Sequence, residues 1–121
     1  MDRKDLIRQY KDTPRPMGVF RVLNTATGKC LVGTSVDLPS VLNRERAQLR
    51  LGGHRNEELQ RDWKTYGAEA FVFEVLDTLT PPDEPGYDPT DDLRVLEQMW
   101  LEKLSPYEER GYNRRPRGAT T

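Results

Sequence analysis

One cysteine, Cys30, and one histidine, His54, are all that the sequence holds of those two residue types. A lone cysteine excludes an internal disulfide, and the pair cannot assemble the four-ligand set of a structural zinc. No apolar run approaches the length that spans a bilayer, and the opening MDRKDLIRQYK has no apolar signal-peptide core. A reducing cytoplasm, with no membrane partner, is the expected location. An excess of one charge sign is missing too: 19 basic residues against 20 acidic give a formal net charge of −1. Any nucleic-acid surface has to come from local clustering. Hydrophobic residues fill 35% of the 121 positions, which suits one domain with a lean core. Fourteen of the basic residues are arginine, the side chain suited to bidentate phosphate contacts, although genome composition explains the same bias.

Element signals are regular along the chain. Asp2 to Lys11 reads as a short polar helix with Leu6, Ile7 and Tyr10 on one side, ended by Pro14 and Pro16. Gly18–Leu23 and Lys29–Gly33 read as strands joined by turn chemistry at Asn24–Gly28, a hairpin. A helix follows, capped by Asp37 or Ser40, with Pro39 in its first turn and Gly52-Gly53 as its stop. Asn56–Tyr66 is a second helix, closed by Gly67, and Phe71–Leu76 a third strand. Residues 77–92 form an acidic, proline-rich loop with Pro81, Pro82, Pro85 and Pro89 and no basic residue. Leu93–Leu104 is a further helix, and an arginine-rich tail carries Arg114, Arg115 and Arg117. The order α-β-β-α-α-β-α predicts an α/β (α+β) domain, a small three-stranded sheet with flanking helices. Residues 1–17 are an N-terminal helical extension, 18–113 the domain and 114–121 the basic tail.

Glu97 breaks a pattern. Leu93, Leu96, Trp100 and Leu104 share one helix face, and Glu97 falls inside that stripe. An unpaired buried carboxylate costs several kcal/mol. Either Glu97 has a cationic partner there, a metal ion or an arginine, or it sits at the stripe edge and reaches water.

Gly18-Val19-Phe20 and Leu31-Val32-Gly33 resemble the tripeptide pair that opens the GIY-YIG nuclease domain. The succession then continues through Gly28-Lys29, Gly33-Thr34-Ser35, Gly53-His54, Leu59-Gln60, Trp63, Tyr66-Gly67, Phe71 to Leu76 and Leu96-Glu97-Gln98, and closes on Gly111-Tyr112-Asn113. The stretch from Gly18 to Asn113 is similar to the phage-type homing-endonuclease branch of that family. The resemblance implies Mg²⁺- or Mn²⁺-dependent phosphodiester hydrolysis, with nucleic acid, and DNA in particular, as partner. In the family one glutamate holds the cation, an arginine steadies phosphate charge and motif tyrosines orient water.

Carried over residue by residue, Glu97 matches the metal glutamate, Asn113 the late asparagine, and Gly18 and Gly33 the motif glycines. Phe20 and Leu31 stand at the two tyrosine positions and lack the hydroxyl. Val41 stands at the arginine position, and Glu45 one turn later. Arg44, three residues from Val41, is the candidate substitute; alternatively Arg44, Arg46 and Arg50 are a solvated helix face. The candidate site is therefore Phe20, Leu31, Val41, Arg44, Glu97 and Asn113, with Glu45 on the same concave surface. Nucleic-acid contacts are assigned to Arg44, Arg46, Arg50, His54, Arg114, Arg115 and Arg117; a turn role is the plain alternative for His54. Tyr66 and Tyr112 are read as packing residues at element ends, and Cys30 as a small core residue.

Three functions are compatible: a member of the family that engages nucleic acid with impaired or lost cleavage, an active Mg²⁺-dependent endonuclease using Arg44, and a protein-interaction module using the acidic loop. The first is the expected one, with a monomer as the default state.

Overall fold

The computed structural model describes residues 15–115. The expected helix Asp2–Lys11 and the tail residue Arg117 lie outside the described residues. Three strands, β1 (Met17–Asn24), β2 (Cys30–Ser35) and β3 (Phe71–Leu79), form one antiparallel sheet in the order β2-β1-β3. Helices α1 (Leu38–Leu51) and α2 (Glu57–Tyr66) follow the hairpin, and α3 (Thr90–Leu104) follows β3. This is the α+β arrangement expected from the sequence.

The hairpin closes where its turn residues require. Asn24 is fully buried; its main-chain carbonyl accepts from Gly28 N at 2.8 Å and its side-chain oxygen accepts from Ala26 N at 3.0 Å. Asp37, rather than Ser40, caps α1: its carboxylate accepts from Ser40 N and Oγ. Gly52, at φ 82°, ends α1 in the left-handed conformation that glycine adopts without strain. Asn56 caps α2 through Leu59 N at 3.0 Å.

Side chains alternate across the sheet, so each strand feeds two cores. Phe20, Val22 and Leu31 pack with Leu38, Val41 and Leu49 of α1 and Leu59 of α2. On the opposite face Val19, Cys30 and Val32 pack against Leu96, Trp100, Leu101 and Leu104 of α3. Burial pushes the Cys30 thiol up, which keeps it protonated and unreactive.

Strands β1 and β2 shift from the sequence reading by one or two residues at their ends, and two boundaries differ by more. Asp77–Leu79 belongs to β3, because Met17, Gly18 and Val19 pair with Leu79, Thr78 and Asp77 and extend the ladder. A register shift between Val19 and Phe20 lets this acidic end stay paired. At the other end, Thr90–Asp92 forms the first turn of α3: Asp88 accepts from Thr90 N at 3.0 Å, and Asp91 and Asp92 suit a helix N-terminus. The acidic loop is thus residues 80–89.

Candidate nucleic-acid interface

A cleft of about 830 Å³ opens beside β2, one of the two edge strands of the sheet. Hydrocarbon lines its base: Phe20 from β1, Leu31 from β2 and Val41 from α1, all core residues. Around them stand Arg44 of α1, Arg55 of the α1–α2 connection, Arg61 of α2 and Arg114 of the C-terminal segment. Glu97 of α3 lines the same cleft, reached from the other layer of the fold because β2 has no further strand beyond it.

The Glu97 carboxylate is part-buried, and burial pushes its pKa above the ordinary glutamate value. No hydrogen bond or ion pair engages it among the described residues, and none of the four arginines offsets its desolvation. Of the other cleft acids, Glu58 is paired with Lys29, Glu108 accepts from Arg115 Nε at 2.8 Å, and Glu57 is solvent-facing in the first turn of α2, where the helix N-terminus suits an acid. An unpaired, part-buried carboxylate opening onto a polar cleft fits a single Mg²⁺ or Mn²⁺ that keeps most of its waters. No group of three or more His, Cys, Asp or Glu side chains suited to holding a metal occurs among the described residues. A cation here would rest on Glu97, solvent and substrate oxygens.

Asn113 closes one wall of the cleft and is held firmly. Its amide accepts from Val32 N at 2.8 Å and donates to Val32 O at 2.9 Å. Next to it the Tyr112 hydroxyl donates to Asp62 at 2.7 Å and accepts from Asn24 at 3.2 Å. Burial is the main cause that drives the Tyr112 pKa upward. Its phenol is bound into the fold.

No family model matches the sequence, and no curated protein does. Solved structures do match. The catalytic domain of homing endonuclease I-TevI superposes with a TM-score of 0.66 at 26% identity, covering 83% of this chain and 99% of that one. The catalytic domain of intron endonuclease I-TevI in a glutamate-to-alanine mutant gives 0.65 at 26%, covering 81% and 92%. This chain has a GIY-YIG-like fold.

Within that GIY-YIG-like fold, Phe20, Leu31, Val41, Arg44, Glu97 and Asn113 all line the one cleft, although they come from five separate parts of the chain. Glu45 departs from the expected placement. It is buried on the α1 face that also carries Leu38, Val41 and Leu49, behind the cleft. There its Oε2 accepts from His54 Nε2, and its Oε1 lies 3.3 Å from Arg55 Nη1. Burial alone would raise the Glu45 pKa; the His54 hydrogen bond and the Arg55 charge outweigh it and hold the carboxyl below its ordinary value.

Several expected nucleic-acid contacts lie elsewhere. His54 is buried, with its main-chain N–H on Gln60 Oε1, its Nε2 on Glu45 and its Nδ1 accepting from Asn56 N at 3.0 Å; these bonds engage both ring nitrogens, as a turn role requires. Arg46 is not on the cleft: its guanidinium covers the Phe73 ring at 4.8 Å. Arg50 is exposed in the last turn of α1, where a cation complements the helix dipole. Arg115 pairs with Glu108 and stacks on Tyr107. Arg46 and Arg50, at i and i+4, share one side of α1, whereas Arg44 lies two positions before Arg46, on nearly the opposite side, and it alone of the three lines the cleft. Arg55 and Arg61, by contrast, line the cleft without any sequence signal beyond their nearness to the Asn56 cap.

Proposed function

We propose that this protein engages the phosphate backbone of nucleic acid, DNA being the substrate class, and that phosphodiester cleavage in its cleft is impaired or lost. The observation that carries the reading is the cleft itself: Arg44, Arg55, Arg61 and Arg114 line it together with an unpaired Glu97. Guanidinium forks match phosphate oxygens in geometry and charge. The solved I-TevI domains, an endonuclease by name, support nucleic acid as the ligand.

Glu97 would hold a divalent cation, which when bound supplies charge neutralisation at a phosphate oxygen. What the chain lacks lies on the cleft base. Phe20 and Leu31 present hydrocarbon where a hydroxyl would orient water, and the Tyr112 hydroxyl is committed to Asp62 and Asn24. Val41 contributes no charge. Removing one preorganised charge-stabilising group lowers a rate by about 10²–10³, and loss of an arginine acting on phosphoryl transfer by about 10³–10⁵.

A second reading, an active endonuclease, is favoured by one observation: Arg44 shares the cleft with Glu97. A nicking assay on supercoiled plasmid separates the two. The expected result is salt-sensitive binding without nicking by the wild type. Phe20→Tyr/Leu31→Tyr/Val41→Arg should then nick, and lose that activity on addition of Glu97→Ala. Strong wild-type nicking abolished by Glu97→Ala or Arg44→Ala would establish the second reading instead. Absence of DNA binding at low salt would overturn both and leave a protein-interaction module.

A further inference from the structure

The arginine position that Val41 vacates has two nearby candidates, and their surroundings differ. Arg44 is exposed on α1, and no hydrogen bond or ion pair ties it to another described residue. Arg55 is tied from behind. Its side chain is 67% exposed and lines the cleft, while Nη1 sits 3.3 Å from Oε1 of Glu45, whose side chain is 0% exposed. We propose that Arg55 is the phosphate-gripping arginine of this cleft, and that buried Glu45, oriented by His54, positions it.

The hydrogen bonds define the arrangement. Asn56 N–H points at His54 Nδ1, so Nδ1 is an acceptor and the ring is neutral with its proton on Nε2. That Nε2–H donates to Glu45 Oε2. Glu45 Oε1 accepts no hydrogen bond of good geometry, and the Arg55 guanidinium is the cation at hand for it. A buried carboxylate is costly unless paired, which drives Arg55 to stay beside it. Guanidinium has five N–H donors in a rigid plane; anchoring one end on Glu45 leaves the rest for the cleft. Less side-chain freedom is then lost when a phosphate binds.

Charge has a second consequence. Neutral His54 leaves the Glu45 anion to offset most of the Arg55 charge. Arg55 thus contributes through directed hydrogen bonds more than through net charge, and a lysine cannot replace its planar fork.

The inference rests on the proposed nucleic-acid role of the cleft, and one experiment tests the two separately. Binding of a fluorescein-labelled DNA duplex at low salt is measured for wild type, Arg55→Ala, Arg55→Lys, Arg44→Ala, Glu45→Gln and Glu45→Gln/Arg55→Ala. Wild type is expected to bind, and Arg55→Ala and Arg55→Lys to weaken affinity by about tenfold each, the worth of a charge-assisted hydrogen-bonding group. Arg44→Ala is expected to weaken it less. Glu45→Gln should weaken binding when Arg55 is present and change nothing when Arg55 is absent. A purely electrostatic role predicts the opposite sign, because removing a carboxylate would strengthen binding. A merely structural role predicts equal weakening in both backgrounds, and either result overturns the positioning role.

No wild-type binding overturns the cleft's nucleic-acid role and this inference together. Wild-type binding with Arg55→Lys at full affinity, or with Arg44→Ala the more damaging change, overturns this inference alone. Should Glu45→Gln fail to fold, the Arg55→Lys result decides, since Arg55 is itself solvent-facing and a lysine keeps a cation beside Glu45.

Discussion

Asn113 grips Val32 with both ends of its amide, accepting from the main-chain N–H at 2.8 Å and donating to the carbonyl at 2.9 Å. A side chain here completes the edge of β2 as a neighbouring strand would. Tyr112 N, bonded to Cys30 O at 2.9 Å, extends the same contact by one residue. A position expected from the sequence to serve the site therefore first serves to close the sheet edge that forms the cleft wall.

Replacing Asn113 should for that reason lower stability. Asn113→Ala removes two hydrogen bonds at about 1 kcal/mol each, so a loss of about 2 kcal/mol is expected. Asn113→Asp keeps the acceptor but turns a carboxylate oxygen toward Val32 O, and should cost at least as much. Urea unfolding measures both, and a variant as stable as wild type would show that the pairing contributes nothing.

The motif glycines rank in a defined order. A Cβ on Gly18 would lie 2.0 Å from Asp77 O, main chain of β3 that cannot yield without breaking the ladder. A Cβ on Gly33 would lie 2.8 Å from Phe20 Cζ, a ring that can tilt toward the cleft. Gly33→Ala is expected to cost about 1–3 kcal/mol, the usual range for overpacking. Gly18→Ala should cost more, and Phe20→Leu should recover stability in Gly33→Ala only. Thermal denaturation of the four variants tests the order.

Glu97 should destabilise the fold when ionised. Its pKa is raised by burial, so the folded state holds the proton more tightly than the unfolded one. The stability this gives is full below the ordinary glutamate value and is lost as pH rises through the raised one. Glu97→Gln should therefore be more stable than wild type at neutral pH, with the difference vanishing in acid. Mn²⁺ should raise the wild-type Tm slightly, and more with DNA present, and leave Glu97→Gln unmoved. Equal shifts in both proteins would remove Glu97 as a ligand.

Glu45 should show the opposite pH dependence. Its carboxyl is held below the ordinary value, so its contribution is present above that value and disappears as pH falls through the depressed one. Acid unfolding of Glu45→Gln should lack this component. His54→Ala removes the hydrogen bond to the buried carboxylate and leaves Arg55 as its partner, which should cost about 2 kcal/mol at neutral pH, the worth of a hydrogen bond to a charged group. Glu45→Gln/His54→Ala should recover part of that loss. Denaturation across pH 3 to 7, roughly the carboxylate range, distinguishes these outcomes.

Local chemistry in the sequence determined most of the elements. Asp37, Pro39 and Gly52 bound α1 because caps and breakers act within a turn or two of where they stand. Strand-forming residues around the Asn24–Gly28 turn likewise announced the β1–β2 hairpin, and the out-of-pattern Glu97 marked a candidate site. Three things were decided only by tertiary structure. The β3 strand runs on to Leu79 because β1 supplies a partner that residue propensity cannot register. Glu45 and His54, read as cleft residues, sit behind the cleft because each satisfies the other's buried polar group. Arg55 joins Glu97 across the β2 edge because the direction of a side chain from a connecting segment depends on what it pairs with, and its partner lies ten residues back in the chain, on another helix turn. Periodicity reports which residues share a face of one element; the meeting of two elements is set by long-range packing and by the pairing of buried charge, which no local pattern encodes.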